Sequence, residues 1–528
     1  MAAPAGTNSS ASPRYKRGLI LAVVTIAIAA TLVLNRLGAA EVCGSNEAVE
    51  GIFVEQMVER GKLFFPLENG HSPMYKPPLF HWTATAIDHL LGVKKITAFN
   101  LRLPAALYAV AGVILTIGFS WDFLGPDRAW LAGLILCGSY QYIEQGRIGR
   151  VDMTLCFFES LSLFAFMWWY ERHKREAYPE GSRRAWLRYV FALGLGLAVL
   201  AKGPVGAILP AAACGIFLIT QRQMRGLHEI CEPGPVLVAS MVGGSWYAAC
   251  FFAHREAFLN RQLGSENFGR FFGALGAMPA WYYAKPLLFN SGPLSLLILF
   301  AVFFALRSYR QSPAEPAVDR ARGVAAHALD SGALNAARLF AIFWVVSVGF
   351  FSLAAYKRRS YMLPLWPSSA VMLVWCAEML YAKNRLWGRW FCGLVILSCC
   401  GSIALNAVYL PRRQIWECAG DSVRDGAHQI NRIVGNDEPL YLYGFGEDPA
   451  PLLFYLDRGA PPVEGKLGDA PPGYVIIPVE VWRQHRQEGL DLTPVFQSSS
   501  GRPPVILLRR GKALAASFNP FRFGPSNF

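Results

Sequence analysis

"VDMTLCFFESLSLFAFMWWY", residues 151 to 170, is an apolar run about as long as a helix needs to cross a bilayer. Crossing roughly 30 Å of hydrocarbon takes about 20 helical residues. The run carries an acid at its mouth, Asp152, and Arg147 and Arg150 stand directly before it in "GRIGR". Ionisable residues beside membrane segments are costly to keep and tend to mark function. The stretch therefore predicts a spanning helix with a charged lip at one end. For Asp152 alone, the plainer reading is a pair with Arg150 or Arg147 that lowers the cost of inserting an acid.

Similar runs recur on both sides, near 18–37, 99–124, 129–145, 187–202, 204–220, 234–253, 285–307, 338–356, 361–382 and 388–410. Together they predict an α-helical polytopic membrane protein of about 11, up to 13, transmembrane helices over residues 18–410. Composition agrees: 53% of the 528 residues are hydrophobic and only 16% are charged, against roughly 25% charged in soluble chains. Two shorter stretches, near 46–60 and 79–92, are too polar to span and are predicted to lie at the interface. The first run follows Arg14, Lys16 and Arg17 as a signal peptide would. Its apolar core is longer than a signal core and more spans come after it, so residues 1–17 are read as the cytoplasmic end of an uncleaved anchor.

Lys and Arg concentrate in cytoplasmic loops. That rule puts "ERHKREAYPEGSRRAW" (171–186), "QRQMRG" (221–226), the 307–338 linker and "AKNRLWGR" (382–389) inside. The first loop (38–98), the 253–284 loop and everything after about 410 fall outside. The net charge of +14 is then mostly a topology signal, and nucleic acid is not an expected partner. Three outward clusters break the rule: "QGRIGR" (145–150), "AKGP" (201–204) and "YKRRSY" (356–361). A fourth outward cation, Lys76, sits in "HSPMYKPPLFHW" (71–82). Pro77 and Pro78 exclude a helix interior and fix an extended entry into the amphipathic segment beyond them, so this ammonium is held stiffly beside it.

After Leu410 the pattern changes. Residues 415–435 have helical spacing, and short apolar runs at 439–445, 452–457, 473–482 and 504–510 read as strands. These predict a small α/β extracytoplasmic domain over 411–512 and a loose tail over 513–528. The eleven cysteines show no paired metal spacing. Cys43 and Cys418 both fall outside, where disulfides persist, and a bridge between them fits that placement.

The outer side thus gathers Glu47, Glu50, Lys76, Arg147, Arg150, Asp152, Lys202, Lys357, Arg358, Arg359 and Tyr361. Acids set among separated cations suit an anionic substrate and a general base. Each has a plainer reading: Glu47 and Glu50 as a solvated helix face, Lys202 as a snorkelling side chain, Arg358 and Arg359 as stray topology markers.

The stretches "NEAVEGIFVEQMVERGKLFFPLENG" (46–70), "YKPPLFHW" (75–82), "FNLRLPAAL" (99–107), "GRIGRVDMTL" (146–155), "LAKGPVGAILP" (200–210), "NFGRFF" (267–272) and "AAYKRRSYMLPLWP" (354–367) carry a resemblance. In order and separation they resemble the GT-C type membrane glycosyltransferases of the protein O-mannosyltransferase superfamily. The bacterial branch containing the aminoarabinose transferases of lipid A is most similar. The resemblance covers roughly residues 15–410.

It implies an inverting-type glycosyltransferase in the cell envelope. A sugar would move from a polyprenyl-phosphate carrier to a lipid, glycan or protein hydroxyl, on the outer face of the inner or plasma membrane. Lys76, Lys202 and Arg358 would neutralise the phosphate leaving group, and Glu47 or Asp152 would take the acceptor's proton. Arg147, Arg150, Lys357, Tyr361 and Glu50 would support them. The family's Asp-Glu pair is Asn46–Glu47 here, which removes one candidate base. The branch's zinc-ligating Glu and His are replaced by Tyr75 and Asn267, so no cofactor is expected and a lipid A acceptor is put in doubt. His71, His81 and His254 remain as other candidate ligands.

Two rival classes make different demands. A lipid-linked sugar transporter or flippase would show paired broken helices in two related halves, and no such symmetry is visible. A non-catalytic lipid or peptide receptor would tolerate neutral substitutions of both Glu47 and Asp152.

Overall fold

The structure, a computed structural model, describes residues 13–68, 72–73, 76–175, 186–260, 262, 269–273, 276–289, 292–307, 331–418, 422–435, 437–445, 449–456, 458–486, 488–498 and 504–510. In chain order the helices begin with α1 (Pro13–Leu34), α2 (Ser45–Arg60), α3 (Leu79–Leu90), α4 (Ala98–Leu124), α5 (Pro126–Gly138) and α6 (Tyr140–Gln145). Next come α7 (Val151–Arg175), α8 (Trp186–Lys202), α9 (Val205–Thr220), α10 (Met224–Ile230), α11 (Pro233–Leu259) and the single turn α12 (Arg270–Phe272). Then α13 (Ala284–Phe289), α14 (Leu294–Arg307), α15 (Ser331–Leu353), α16 (Leu365–Lys383) and α17 (Arg385–Cys418) complete the apolar part. Helices α18 (Val423–Ile433), α19 (Ala450–Tyr455) and α20 (Val479–His485) lie after it.

Each of the eleven apolar runs is mostly helical over its described residues. Among the described residues seven helices are long and apolar enough to cross a membrane: α1, α4, α7, α11, α15, α16 and α17. The bent pair containing α13 and α14 would make eight. The remaining runs fall short on length, with 13 residues in α5, 17 in α8 and 16 in α9.

The chain divides into two compact units. The first comprises Met1–Asn35, Tyr75–Phe80 and Arg102–Leu410. Its helices approach closely through small residues, as expected where lipid provides no hydrophobic drive between helices. A Cβ added at Gly194 of α8 would stand 2.4 Å from the Ser162 hydroxyl of α7, so a larger residue here would have to displace that hydroxyl. Between α8 and α9 the chain reverses at Gly203, whose φ of +108° few other residues adopt. That reversal ends α8 at Lys202.

The second unit comprises Arg36–Met74, His81–Leu101 and Pro411–Phe528. Strands β1 (Leu67–Glu68) and β2 (Ser72–Pro73) form a small antiparallel ladder. Strands β3 (Leu440–Leu442), β4 (Gly473–Pro478), β5 (Leu492–Gln497) and β6 (Val505–Arg510) make a sheet of order β3-β4-β6-β5. β3 runs parallel to β4, and both other pairings are antiparallel. Val475, Ile477, Ile506 and Leu508 form its core with Trp482.

Three expectations for this region are corrected. The stretch "LLFYLD" (452–457) does not begin a strand, because Leu452 to Tyr455 lie in α19, which starts at Ala450 behind Pro449. A short apolar run does not by itself distinguish strand from buried helix. The strand predicted over 473–482 stops at Pro478, where α20 begins, and β5, over 492–497, is a strand that the hydropathy reading overlooked.

The reading of Glu47 and Glu50 as a solvated helix face is also revised. Residues Glu47 to Val54 of α2 are buried without a break, which leaves no solvated stripe. α2 packs on α19 so tightly that a Cβ at Gly51 would meet the Phe454 ring at 2.4 Å. The entry to α2 is pinned three ways: Cys43 is bonded to Cys418, Val42 N–H donates to Tyr455 Oη at 2.7 Å, and Glu41 accepts from Ser422 Oγ at 2.8 Å.

Candidate active site

In the first unit the charged lip is a built cluster. Asp152 lies in the first turn of α7 and its side chain is 2% exposed. Lys202, at the last turn of α8, bonds its Oδ1, and Arg150 Nη2 lies 3.2 Å from its Oδ2. An acid at a helix N-terminus and a cation at a helix C-terminus each match the local backbone dipole, so both sit at the favourable end. The Lys202 ammonium also stands 4.8 Å over the Tyr361 ring, a cation–π contact. The Ser360 hydroxyl lies beside the Asp152 carboxylate.

Arg358 completes the cluster. Its Nε donates to Tyr356 Oη at 2.9 Å, and its charge acts on both Asp152 and Lys202. Burial alone would lower its pKa, but the Tyr356 hydroxyl and the neighbouring Asp152 outweigh burial and raise it. Lys202, Arg150 and Arg358 outnumber the Asp152 carboxylate that they face, which suits an anion.

Other predicted residues go elsewhere. Arg147 is fully buried and donates to the α1 carbonyls of Leu32 at 2.7 Å and Val33 at 3.2 Å, so it fastens helices together. Lys357 is buried and donates to the carbonyls of Ala354 and Met278, the latter at 3.1 Å. Arg359 pairs with Glu144 at 2.6 Å. Lys76 is half-buried ahead of Pro77 and Pro78, both buried, just before α3 begins.

In the second unit Glu47 sits buried in the first turn of α2. Glu50, one turn on, is not on a solvated face. Its Oε2 lies 2.7 Å from His81 Nε2 of α3, and both side chains are at most 2% exposed. Asp88 continues the buried face of α3 beyond His81. It lies beside the Asn100 amide, yet neither carboxyl oxygen is in hydrogen-bond geometry with a described side chain. Burial pushes its pKa up to about 6, against smaller opposing effects of Asn100 and His89.

Tyr75, Asn267 and His71 lie outside the described residues, as does the side chain of His254. Among the described residues no group of three or more His, Cys, Asp and Glu side chains is arranged to hold a metal ion.

The sequence reading missed Glu144, Tyr356, Ser360, Asp88 and the Glu50–His81 pairing. It also missed Glu159, buried on α7 with Oε2 unpartnered among the described residues. A signal existed for two of them: Glu144 and Glu159 are acids inside apolar runs, which is costly without a purpose.

Residues 62–258 match a family profile described as dolichyl-phosphate-mannose-protein mannosyltransferase. An uncharacterized protein of Aquifex aeolicus is 27% identical over 342 residues, 65% of this chain and 60% of that one. The undecaprenyl phosphate-alpha-4-amino-4-deoxy-L-arabinose arabinosyl transferase 1 of Pseudomonas fluorescens is 27% identical over 338 residues, 63% of this chain. The chain thus spans 60% and 55% of the length of these two relatives. Among solved structures, ArnT from Cupriavidus metallidurans, bound to undecaprenyl phosphate, superposes with a TM-score of 0.74. The identity is 16%, with 94% of this chain and 99% of that one covered, so this likeness speaks to the fold. Profile, relatives and fold all point the same way as the charged lip on α7 and α8: the chain is similar to the GT-C membrane glycosyltransferases.

Proposed function

We propose that this protein transfers a sugar from a polyprenyl-phosphate carrier to a hydroxyl of a lipid, glycan or protein on the outer face of a bacterial inner or plasma membrane. The observation that carries the reading is the cationic centre at the mouth of α7, where Lys202 and Arg150 pair with Asp152 and the charge of Arg358 acts on both Asp152 and Lys202. It lies at the ends of apolar helices, where a phosphate headgroup with its chain in lipid would sit. A relative named for an undecaprenyl-phosphate donor and a fold neighbour bound to undecaprenyl phosphate support the same donor class.

In the reaction the acceptor oxygen attacks the anomeric carbon opposite the phosphate. The bond from that carbon to the phosphate oxygen breaks, its electron pair stays on the phosphate, and polyprenyl phosphate leaves. Lys202 and Arg358, with Lys76, stabilise the charge that develops on that oxygen. Asp152 is engaged by two cations, so its role is to hold them. The acceptor's proton goes to a carboxylate base, a role that the family resemblance offers to Glu47. The basic loops at 171–186 and 221–226 support a cytoplasmic side opposite the site. The Cys43–Cys418 bond supports an oxidising compartment for the second unit.

The test is donor binding and turnover measured separately. Lys202→Ala and Lys76→Ala are expected to lose turnover, and each lost charge-assisted contact costs about 1.5–3 kcal/mol. Full activity in both variants would remove the phosphate-binding account.

A further inference from the structure

Arg358 and Arg359 leave one short turn and go to different partners. Arg358 belongs to the Asp152 centre. Arg359 Nη2 reaches Glu144 Oε1 on α6 at 2.6 Å, and the Glu144 side chain is only 5% exposed. The Tyr140 hydroxyl donates to the same oxygen at 3.1 Å. The main chain of the turn is gripped as well. Gln141 Nε2 donates to the Arg359 carbonyl at 2.6 Å, while Gln141 Oε1 accepts from Trp366 Nε1 at 2.9 Å. All these residues lie in the first unit.

This arrangement solves an electrostatic problem. Asp152 already holds Lys202 and Arg150. A second guanidinium from the 358–359 pair, turned the same way, would add like-charge repulsion without a new acceptor. Glu144 is a buried carboxylate that draws one arginine away. Because Arg359 lies between Arg358 and Tyr361, fixing it fixes the backbone on which both are carried.

We propose that Glu144, through Arg359, is a positioning residue that sets Arg358 and Tyr361 at the Asp152–Lys202 centre and thereby tunes affinity for the phosphate headgroup of the donor lipid. The inference rests on the function proposed above and adds a residue that touches no substrate.

The test uses the full chain in lipid nanodiscs with undecaprenyl phosphate as the binding probe. Glu144→Gln keeps the side chain's shape and removes its charge. It is expected to weaken binding about five- to tenfold, less than the loss of a direct charge-assisted contact, because Glu144 acts through Arg359. In the double variant Glu144→Gln/Arg358→Gln the two losses should combine to much less than their product, because most of the effect of Glu144 passes through the Arg358 guanidinium and only the remainder through Tyr361. Glu144→Asp should recover part of the affinity, which a general packing defect would not allow. If Glu144→Gln does not fold, Arg359→Gln removes the same pair from its exposed side and is read in the same way. Wild-type affinity in the Glu144→Gln or Arg359→Gln protein, or losses that multiply in the double variant, would overturn the inference and leave the function standing. A wild-type protein that does not bind undecaprenyl phosphate would overturn the function, and this inference with it.

Discussion

Asp152 and Asp88 are both buried aspartates, and their surroundings assign them opposite behaviour. Asp152 has two cations in reach, so Asp152→Asn strands Lys202 and Arg150 together in a low-dielectric site. Breaking one side of a buried pair costs about 3–5 kcal/mol. This variant is expected to lose donor binding and turnover together, whereas Glu47→Gln should lose turnover and keep binding. Normal turnover in Glu47→Gln, with binding but no reaction in Asp152→Asn, would reverse the two roles. Asp88 has no such partner, and burial raises its pKa to about 6 from an ordinary value near 3.9. A raised carboxyl pKa means that the fold prefers the neutral acid. Its stabilising contribution is present below about pH 4 and is lost as pH rises through about 6. Thermal unfolding of the wild type should therefore fall across that window, and Asp88→Asn should flatten the fall. Equal slopes would remove Asp88 from the account. Asp152 was legible because its arginines are adjacent in sequence. Asp88 was not, because only the folded α3 shows that its face is buried.

At the scale of elements, the apolar runs were readable because hydropathy over a window sums many small preferences. Packing partners were not readable, and they decided the rest. α2 looked amphipathic because Glu47, Glu50 and Gln56 interrupt it, but α19 covers the face that the charges were expected to leave wet. "LLFYLD" looked like a strand because six residues are too few to show a period, and Pro449 starts a helix there instead. The turn that carries Arg358 was visible only as a basic cluster. Its division between Asp152 and Glu144 depends on α6, more than two hundred residues earlier. The Cys43–Cys418 bond closes a sequence separation of 375 residues, which no local signal reveals. Alkylation under native conditions, read by mass spectrometry, is expected to leave Cys43 and Cys418 unmodified until a reductant is added, while the exposed Cys231 reacts at once. Alkylation of Cys43 without reductant would break the proposed pinning of the α2 entry.

For the whole molecule, the membrane class came from composition, and the GT-C assignment came from the order of seven short stretches. Orientation rests on basic loops and is tested by labelling. A cysteine at Glu464 should react with an impermeant maleimide in sealed cells, and one at Gln223 only after permeabilisation. The opposite pattern would invert the topology. The metal question rests on Tyr75 and Asn267, which the family resemblance sets at the positions of a ligating Glu and His. Neither replacement is a strong ligand for zinc. Chelator treatment is therefore expected to leave turnover unchanged, and loss of turnover that zinc restores would contradict that reading. The most direct test supplies membranes containing the protein with a panel of labelled polyprenyl-phosphate sugars and tracks label and carrier together. The account predicts that one donor passes its sugar to an acceptor with release of one polyprenyl phosphate per transfer, and that Asp152→Asn and Lys202→Ala abolish both. Transfer from a nucleotide sugar without polyprenyl phosphate release, or undiminished transfer in both variants, would contradict it.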